Sequence, residues 1–471
     1  HMPASRLGRL VLAAILTLPA LAAARGQHHP QLDRQLAAGG ETIAALDGWA
    51  SVPTDALPQG TTGGAAALPE RWHIVTNRAE LVAALAFPDA TPKRVYIKGV
   101  IDANVDDAGQ PLSCESYYRA DPATGELYSP EAFLAAFDPA GPWGRVEPSG
   151  PQESARAASA SAQQARVRIR IPANTTIYGI GERPTVRGAW FDIRPSSTSG
   201  NTPMNVIIRN INFEDTVDCF PEWDPTDGSA GNWNAAYDSI SVRNATHVWI
   251  DHNRFADVRS DDATLPVLFG RLYQVHDGLL DITNASDYVT VSWNVFRNHD
   301  KTMLIGSSDS ASADRGKLRV TLHHNHFDDI GQRAPRVRFG QVHVYNNYYE
   351  VQSDTPFGYA WGVGVESQLY AENNYLEIEA PFGAADVIDE FNGTRLTDTG
   401  NCLDAGSRRH GKCELTDFVG AWNAANDPDL VNDAGWTPTL YGRQGAADKA
   451  KHVRHDVLKN AGPRDPRGNC H

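Results

Sequence analysis

Three stretches of this chain bring together side chains that can bind charge or move a proton. The first runs from Trp233 to Ile240 and carries Asp238. The second is His276-Asp277-Gly278-Leu279-Leu280-Asp281, followed downstream by Asn298-His299-Asp300-Lys301. The third is Gln332-Arg333-Ala334-Pro335-Arg336-Val337-Arg338-Phe339-Gly340. Carboxylates such as Asp238, Asp277 and Asp281 can share one hard cation, which takes about six to eight oxygen ligands. Asp277 and Asp281 need a bend to meet, since four extended residues span roughly 13 Å, and Gly278 supplies a place for it. Three aspartates of this kind point to calcium. The third stretch is a local basic ridge. If Val337 and Phe339 face the interior, alternation turns Arg336 and Arg338 outward. Guanidinium groups grip carboxylates through paired hydrogen bonds, so a cation site beside these arginines and Lys301 suits an anionic ligand.

The elements that must hold these groups repeat along the chain. Short β-rich runs close on an aromatic or aliphatic residue, as in Val206–Phe213, Val248–Phe255, Val289–Phe296, Val320–Phe327, Val342–Tyr349 and Leu369–Leu376. Successive closing residues lie between 22 and 42 positions apart. A short core repeat with variable insertions is the pattern of a solenoid. Val, Ile and Leu alternate onto one face, and no helical pattern between the runs is long enough for a βαβ crossover. A coil of short parallel strands, a β-helix, is therefore expected in preference to a sandwich. Equivalent positions in neighbouring coils then stack about 4.8 Å apart, which brings Asp238 towards Asp277 and Asp281. The asparagine near the end of most runs suits a turn, where Asn tolerates the left-handed region and can bond its neighbour in the next coil. Long insertions between coils should lie on one side and build a cleft.

The bulk properties narrow the function classes. With 471 residues, 41% hydrophobic and 21% charged, the chain reads as globular. Its 42 Lys and Arg against 57 Asp and Glu give a formal charge of −15, which argues against nucleic acid as a partner. His1-Met2 reads as a cloning remnant. Arg6, Arg9 and the apolar run Leu10–Ala24 read as a secretion signal cut after Ala24. No other run is long enough to span a bilayer, so a secreted monomer without a membrane anchor is expected. The expected organisation is a signal over 1–24, a surface segment over 25–70, the β-helix over 71–380 and a C-terminal cap or arm over 381–471. Residues 139–165 read as a loop or an exposed helix. None of the five cysteines has CxxC spacing, which argues against zinc. Cys402 and Cys413 pair best by proximity, and an odd count leaves at least one thiol over. His323, His324 and His343 read as stacked coil residues rather than ligands.

From about residue 70 to 376 the chain resembles polysaccharide lyase family 1, the pectate lyases. Val248-Trp249-Ile250-Asp251-His252 is similar to the family's WxDH strand, Asp277–Asp281 to its DGxxD motif, and Arg333–Arg338 to its RxPxxR signature. Asn298–Asp309 and Val320–Asn347 also match closely. The resemblance implies a right-handed parallel β-helix with calcium held by Asp238, Asp277 and Asp281. It implies Arg333 as the base, and Lys301 and Arg338 as partners of substrate carboxylates, with Trp249, Asp251 and His252 in supporting roles. The implied substrate is de-esterified pectin, α-1,4-linked polygalacturonate, cut by β-elimination to leave 4,5-unsaturated ends. Hydrolysis would need two carboxylates flanking the bond, whereas these carboxylates sit with cations. Neutralising an arginine at about pH 8.5 costs about 5 kcal/mol, a gap of roughly four pH units, so an alkaline optimum is expected. Three alternatives remain open: a pectin lyase on methylated polymer without calcium, a non-catalytic polygalacturonate-binding β-helix, and a hydrolase on the same fold.

Overall fold

The computed structural model describes residues 30–196, 203–406, 412–439, 441 and 447–470. The expected secretion signal lies outside them. The described chain winds into a right-handed parallel β-helix whose coils each contribute to three strand columns. One column is an eight-stranded parallel sheet from Arg168–Ile171 to Ile388–Phe391. It includes Ile240–Arg243, Leu280–Thr283 and Arg336–Val337. The second carries Thr246–Asp251, Asp287–Ser292, Val320–His323 and Gln341–Tyr345. The third carries Arg254–Ala256, Val295–Lys301, His326–Gln332 and Tyr348–Val351.

The second and third columns repeat one kind of core residue from coil to coil, on the face set by the two-residue side-chain period of a strand. In the third column Phe213, Phe255, Phe296, Phe327 and Tyr349 stack with ring centroids 4.8–5.2 Å apart. The second column contributes Val248, Val289, Val320 and Val342, all fully buried. The turn between these columns divides the task that sequence alone assigned to one asparagine. The left-handed position is held by His252, Trp293, His324, Asn346 and Asn373. The next residue is the bonding asparagine. Asn253 donates to Asn294 at 3.1 Å, Asn294 to Asn325 at 3.0 Å and Asn325 to Asn347 at 3.0 Å. Asn347 then donates to Asn374 at 3.1 Å, and Asn374 to Asn401 at 2.9 Å. The file ends where Asn401 donates to the Asp398 carboxylate at 2.6 Å. Aromatic rings fill the left-handed position because they stack across coils, as Trp293 does on His324 at 4.2 Å. His323 and His343 likewise stack on Tyr345.

The long insertions fall between the third and first columns. Residues 215–239 and 257–279 form two of them, and residues 103–167 join them in an aromatic cluster of Tyr117, Phe133, Phe220, Trp223 and Trp233. The disulfide Cys114–Cys219 ties these insertions together, and Cys402–Cys413 is a second disulfide with Cys470 free. The segment expected as a loop or exposed helix is the helix Pro151–Val167, with Gln152, Ala155, Arg156, Ser159, Gln163 and Val167 buried. Its Ala and Ser side chains are small enough to let it approach closely, and Arg156 donates to the Phe220 carbonyl at 2.7 Å.

Around the coil, Trp49 and Ala50 dock on the second column through bonds from their amides to Thr321 and Thr290, both 3.0 Å. Parallel pairing continues past the expected limit at 380, through Leu369↔Leu396 and Leu396↔Asn432. That reach was hidden because these last strands lack the repeated Val and Phe spacing. Phe418 and Trp422 of the helix Phe418–Ala425 then close the core.

Candidate active site

The first column and the loops that enter it set the geometry of the candidate site. Ile240 pairs with Leu280 and Ser241 with Asp281, so Asp238 stands opposite Gly278 rather than opposite an aspartate. Asp238 accepts from the Gly278 amide at 3.0 Å, and Ser241 donates to its other oxygen. Asp281 accepts from the Leu304 amide at 2.9 Å. Gly278 is pinched between the two carboxylates. A methyl group there would come within 2.3 Å of Asp281 Oδ1 and 2.9 Å of Asp238 Oδ1. The glycine is needed for this close approach as much as for the bend.

Both carboxyls are fully enclosed, and the cost of that shows in their acidity. Burial first, then Asp281 and Asp277, push the Asp238 carboxyl well above the usual range. Burial and Asp277 push Asp281 up to about 7, opposed by the Leu304 amide, Arg333 and Lys301. Nearby Asp218 is pushed to about 6 by burial, with Asp277 adding to it, although it accepts from the amides of Phe220 and Ala236. Buried negative charge without a cationic partner is unfavourable, so this donor set fits a hard divalent cation. The three aspartates are not among the groups whose ligand atoms converge within 4.8 Å. Oxygens on opposite sides of one calcium stand up to about 5 Å apart, so that spacing is compatible with a shared ion.

The sets that do converge are Asp257–Asp262–His276 and His326–Asp328–Glu350. The former belongs to a buried relay behind Asp277. His299 Nδ1 lies 2.6 Å from Asp257 Oδ2, and its Nε2 lies 2.6 Å from the Asp277 carbonyl. Both ring nitrogens therefore face acceptors, as they can only in the doubly protonated ring. Burial opposes that charge, but Asp257 and the two hydrogen bonds raise the His299 pKa to about 9. His299→Ala removes the partner at 2.6 Å and leaves the buried Asp257 carboxylate with His276 at 3.6 Å, and is expected to cost about 3–5 kcal/mol, read as a lower urea midpoint. A histidine whose native pKa is raised stabilises fully below about 6.5, and that contribution fades as pH rises through about 9. The gap between variant and parent should narrow between about pH 6.5 and 9.

The basic groups approach from the next coils. Lys301 ends the strand Val295–Lys301 and pairs with Gln332. Arg333 follows in the left-handed region with φ 61°, a conformation costly for a non-glycine residue, and its carbonyl accepts from the Met303 amide at 2.7 Å. Arg333 Nε, Arg336 Nε and the Tyr359 hydroxyl are buried without a hydrogen-bond partner, as groups aimed at a ligand are. Burial raises the Tyr359 pKa, and Arg333 and Arg336 oppose that shift. The expected ridge is partly engaged. Arg338 Nε pairs with Asp309 at 2.6 Å and its Nη1 donates to the Gly306 carbonyl at 2.9 Å. Arg336 lies over the Phe391 ring at 3.7 Å. The structure thus brings Asp238, Asp277, Asp281, Lys301 and Arg333 into mutual electrostatic reach, while Arg338 enters already held by a carboxylate.

Sequence reasoning passed over His299, Asp257, Asp309 and Tyr359. His299 stood in a quoted stretch, but nothing in its spacing linked it to Asp257, which is 42 positions away. Asp251 bonds His252 and Ser292 and pairs with Arg209, which is a structural knot on the second column rather than part of the cleft.

Comparison with known proteins converges on one family. A family model described as pectate lyase matches residues 149–425. The pectate lyase of Bacillus subtilis (strain 168) is 46% identical over 429 residues, spanning 90% of this chain and 93% of its own. Pectate lyase E of Dickeya chrysanthemi is 34% identical over 382 residues, 79% of each chain. Among solved structures, a thermostable pectate lyase superposes with a TM-score of 0.82 at 44% identity, covering 92% of this chain and 99% of that one. A pectate lyase bound to a hexasaccharide gives 0.80 at 45% identity, covering 90% and 98%.

Proposed function

The chain belongs to the pectate lyase family and is a carbon–oxygen lyase acting on polysaccharide, and from that premise we propose that it cuts de-esterified pectin by calcium-dependent β-elimination outside the cell. One observation carries the reading. The buried Asp281 carboxylate interacts with Asp277 and also with Arg333 and Lys301, which supports an acidic cation site and a basic pair sharing one cleft.

In this reading Asp238, Asp277 and Asp281 hold calcium, which when bound draws electron density from a galacturonate carboxylate beside C5. Arg333 takes the C5 proton. The electron pair of that C–H bond becomes the C4=C5 double bond, and the C4–O bond breaks with its pair to the departing sugar. Charge accumulates on the uronate carboxylate as the proton leaves. Lys301 and Arg338 supply fixed positive charge there, already oriented before the reaction. Asp309 and the Gly306 carbonyl hold the Arg338 fork in place. A guanidinium base favours alkaline conditions, because a free arginine gives up its proton only above pH 12 or so.

The test is incubation with polygalacturonate with and without calcium, following ultraviolet absorbance of the unsaturated product across pH. The expected result is a calcium-dependent rise that strengthens towards alkaline pH. Activity retained in EDTA would support a pectin lyase instead. Reducing ends without absorbance would indicate hydrolysis, and binding without either a non-catalytic role. Among the described residues no helix is long and apolar enough to cross a membrane.

A further inference from the structure

One cavity of the described molecule lies apart from the candidate cleft. It lies on the outer face of the third strand column, holds about 600 Å³, and is walled by Asn212, Arg183, Arg254 and the tail residues Asp465 and Arg467. Its position follows from the fold. Asn212, Arg254, Val295, His326, Tyr348, Tyr375 and Cys402 occupy one outward row, coil after coil. The helix Ala450–Asn460 covers the later part of that row, packing Val453 and Val457 on Tyr348, Tyr375 and Cys402. The tail then runs back across the coils. The Gly462 amide bonds the Trp293 carbonyl at 2.8 Å, and the Arg464 amide bonds Asn210 Oδ1 at 2.5 Å. Beyond that point Asp465 and Arg467 of the tail border the cavity beside Arg183, Asn212 and Arg254.

Charged groups of both signs meet along that stretch, and one of them lacks an ion-pair partner among the described residues. Arg183 is taken by Glu214 at 2.8 Å, Arg297 by Asp328 at 3.0 Å and Arg467 by Asp465 at 3.0 Å. Arg254 ion-pairs with none of the described carboxylates although it is partly buried. Burial, Arg297 and Arg183 depress its pKa, opposed by Glu214 and Asp328, which are themselves engaged by Arg183 and Arg297. An unpaired, partly desolvated guanidinium with two like neighbours is costly unless an anion joins it. The remaining polar lining is of another kind. Glu182, Asp465 and the Gln31 amide also border the cavity, and such groups accept from or donate to hydroxyls. A bare phosphate would be repelled by two carboxylates, whereas a sugar acid offers one carboxylate to the guanidinium and several hydroxyls to the acids and amides. The volume lies in the usual range of small-molecule sites, about 300–1,000 Å³.

We propose that this cavity is a second saccharide site, separate from the cleft, that takes the acidic end of a uronate oligosaccharide on Arg254. It would let the enzyme hold a polymer, or an end released from it, at a surface distinct from the place of cleavage. The inference goes beyond the lyase reading, because it concerns binding alone on a different face.

Titration calorimetry on the full chain tests it, using trigalacturonate, a neutral galactose trisaccharide and inorganic phosphate in EDTA, with absorbance confirming that no ligand is cut. Trigalacturonate is expected to bind, and both Arg254→Gln and Arg467→Glu should weaken it by about tenfold or more, the usual worth of a charge-assisted bond. Phosphate and the neutral sugar should not compete. Arg467 has a side chain 73% exposed, so its reversal keeps the test valid if Arg254→Gln folds poorly, and it should leave turnover of trigalacturonate in calcium unchanged. Equal affinity in the parent and Arg467→Glu would overturn the proposal, as would phosphate binding as tightly as the trisaccharide.

Discussion

Arg333→Ala is expected to lower kcat by about 10²–10⁴-fold, the span associated with a positioned proton-transfer group, with little change in KM. Arg333 ion-pairs with none of the described carboxylates, and its Nε lacks a partner, so the variant should melt close to the parent temperature. That separation matters, since a fold defect would lower both. A raised KM with unchanged kcat would assign Arg333 to substrate binding instead of proton abstraction. Full retention of activity would remove it from the mechanism altogether. The measurement is initial-rate absorbance over a substrate series at alkaline pH and saturating calcium.

The second large effect concerns Asp281, and it has two opposite signs. Asp281→Asn removes one of three clustered carboxylates, so calcium affinity should fall by more than about 100-fold, beyond the loss usual for a mere outer-shell partner. In EDTA the same variant should be more stable than the parent. A carboxyl whose native pKa is raised from 3.8 to about 7 stabilises fully below the lower value and loses that contribution as pH rises to the upper one. The parent in EDTA should therefore melt at falling temperature between roughly pH 4 and 7, and the amide, which carries no charge, should not follow it. The Asn carbonyl can still accept from the Leu304 amide. Calorimetric scans with EDTA and with calcium, at pH 5 and pH 8, read both signs. A variant that lost calcium response and stability together would argue that Asp281 serves the fold rather than an ion.

Much of this was legible in the residues. The alternating Val and Phe runs fix the inward rows because a strand has only two faces, and Asp277-Gly278-Asp281 and Arg333–Arg338 stand out by type alone. What stayed hidden depends on register. Asp238 matches Gly278 across the coils, and no count of intervening residues gives that alignment when the loops between coils differ in length. The pairing of Arg338 with Asp309 and of His299 with Asp257 arises between segments 29 and 42 positions apart. Neither partner carries a local signal. The asparagine row was read as one residue with two duties, whereas the turn uses two neighbours, one for the left-handed backbone and one for the amide bond. The last coils escaped because their strands are short and their core residues irregular.

The asparagine file described above has a direction. Every amide gives one hydrogen to the next asparagine and the other back to a carbonyl of the preceding coil, and the series finishes on the Asp398 carboxylate, which only accepts. Such a series works as a ruler with a stop. A new coil could be spliced between two rungs, provided that it brings its own asparagine, but the asparagine series itself stops at the carboxylate. The rungs keep their spacing whatever the length of chain looped out between them. Variation can therefore accumulate in the cleft-side loops, where a changed insertion would remodel what the enzyme grips, while the number and alignment of the coils stay inherited.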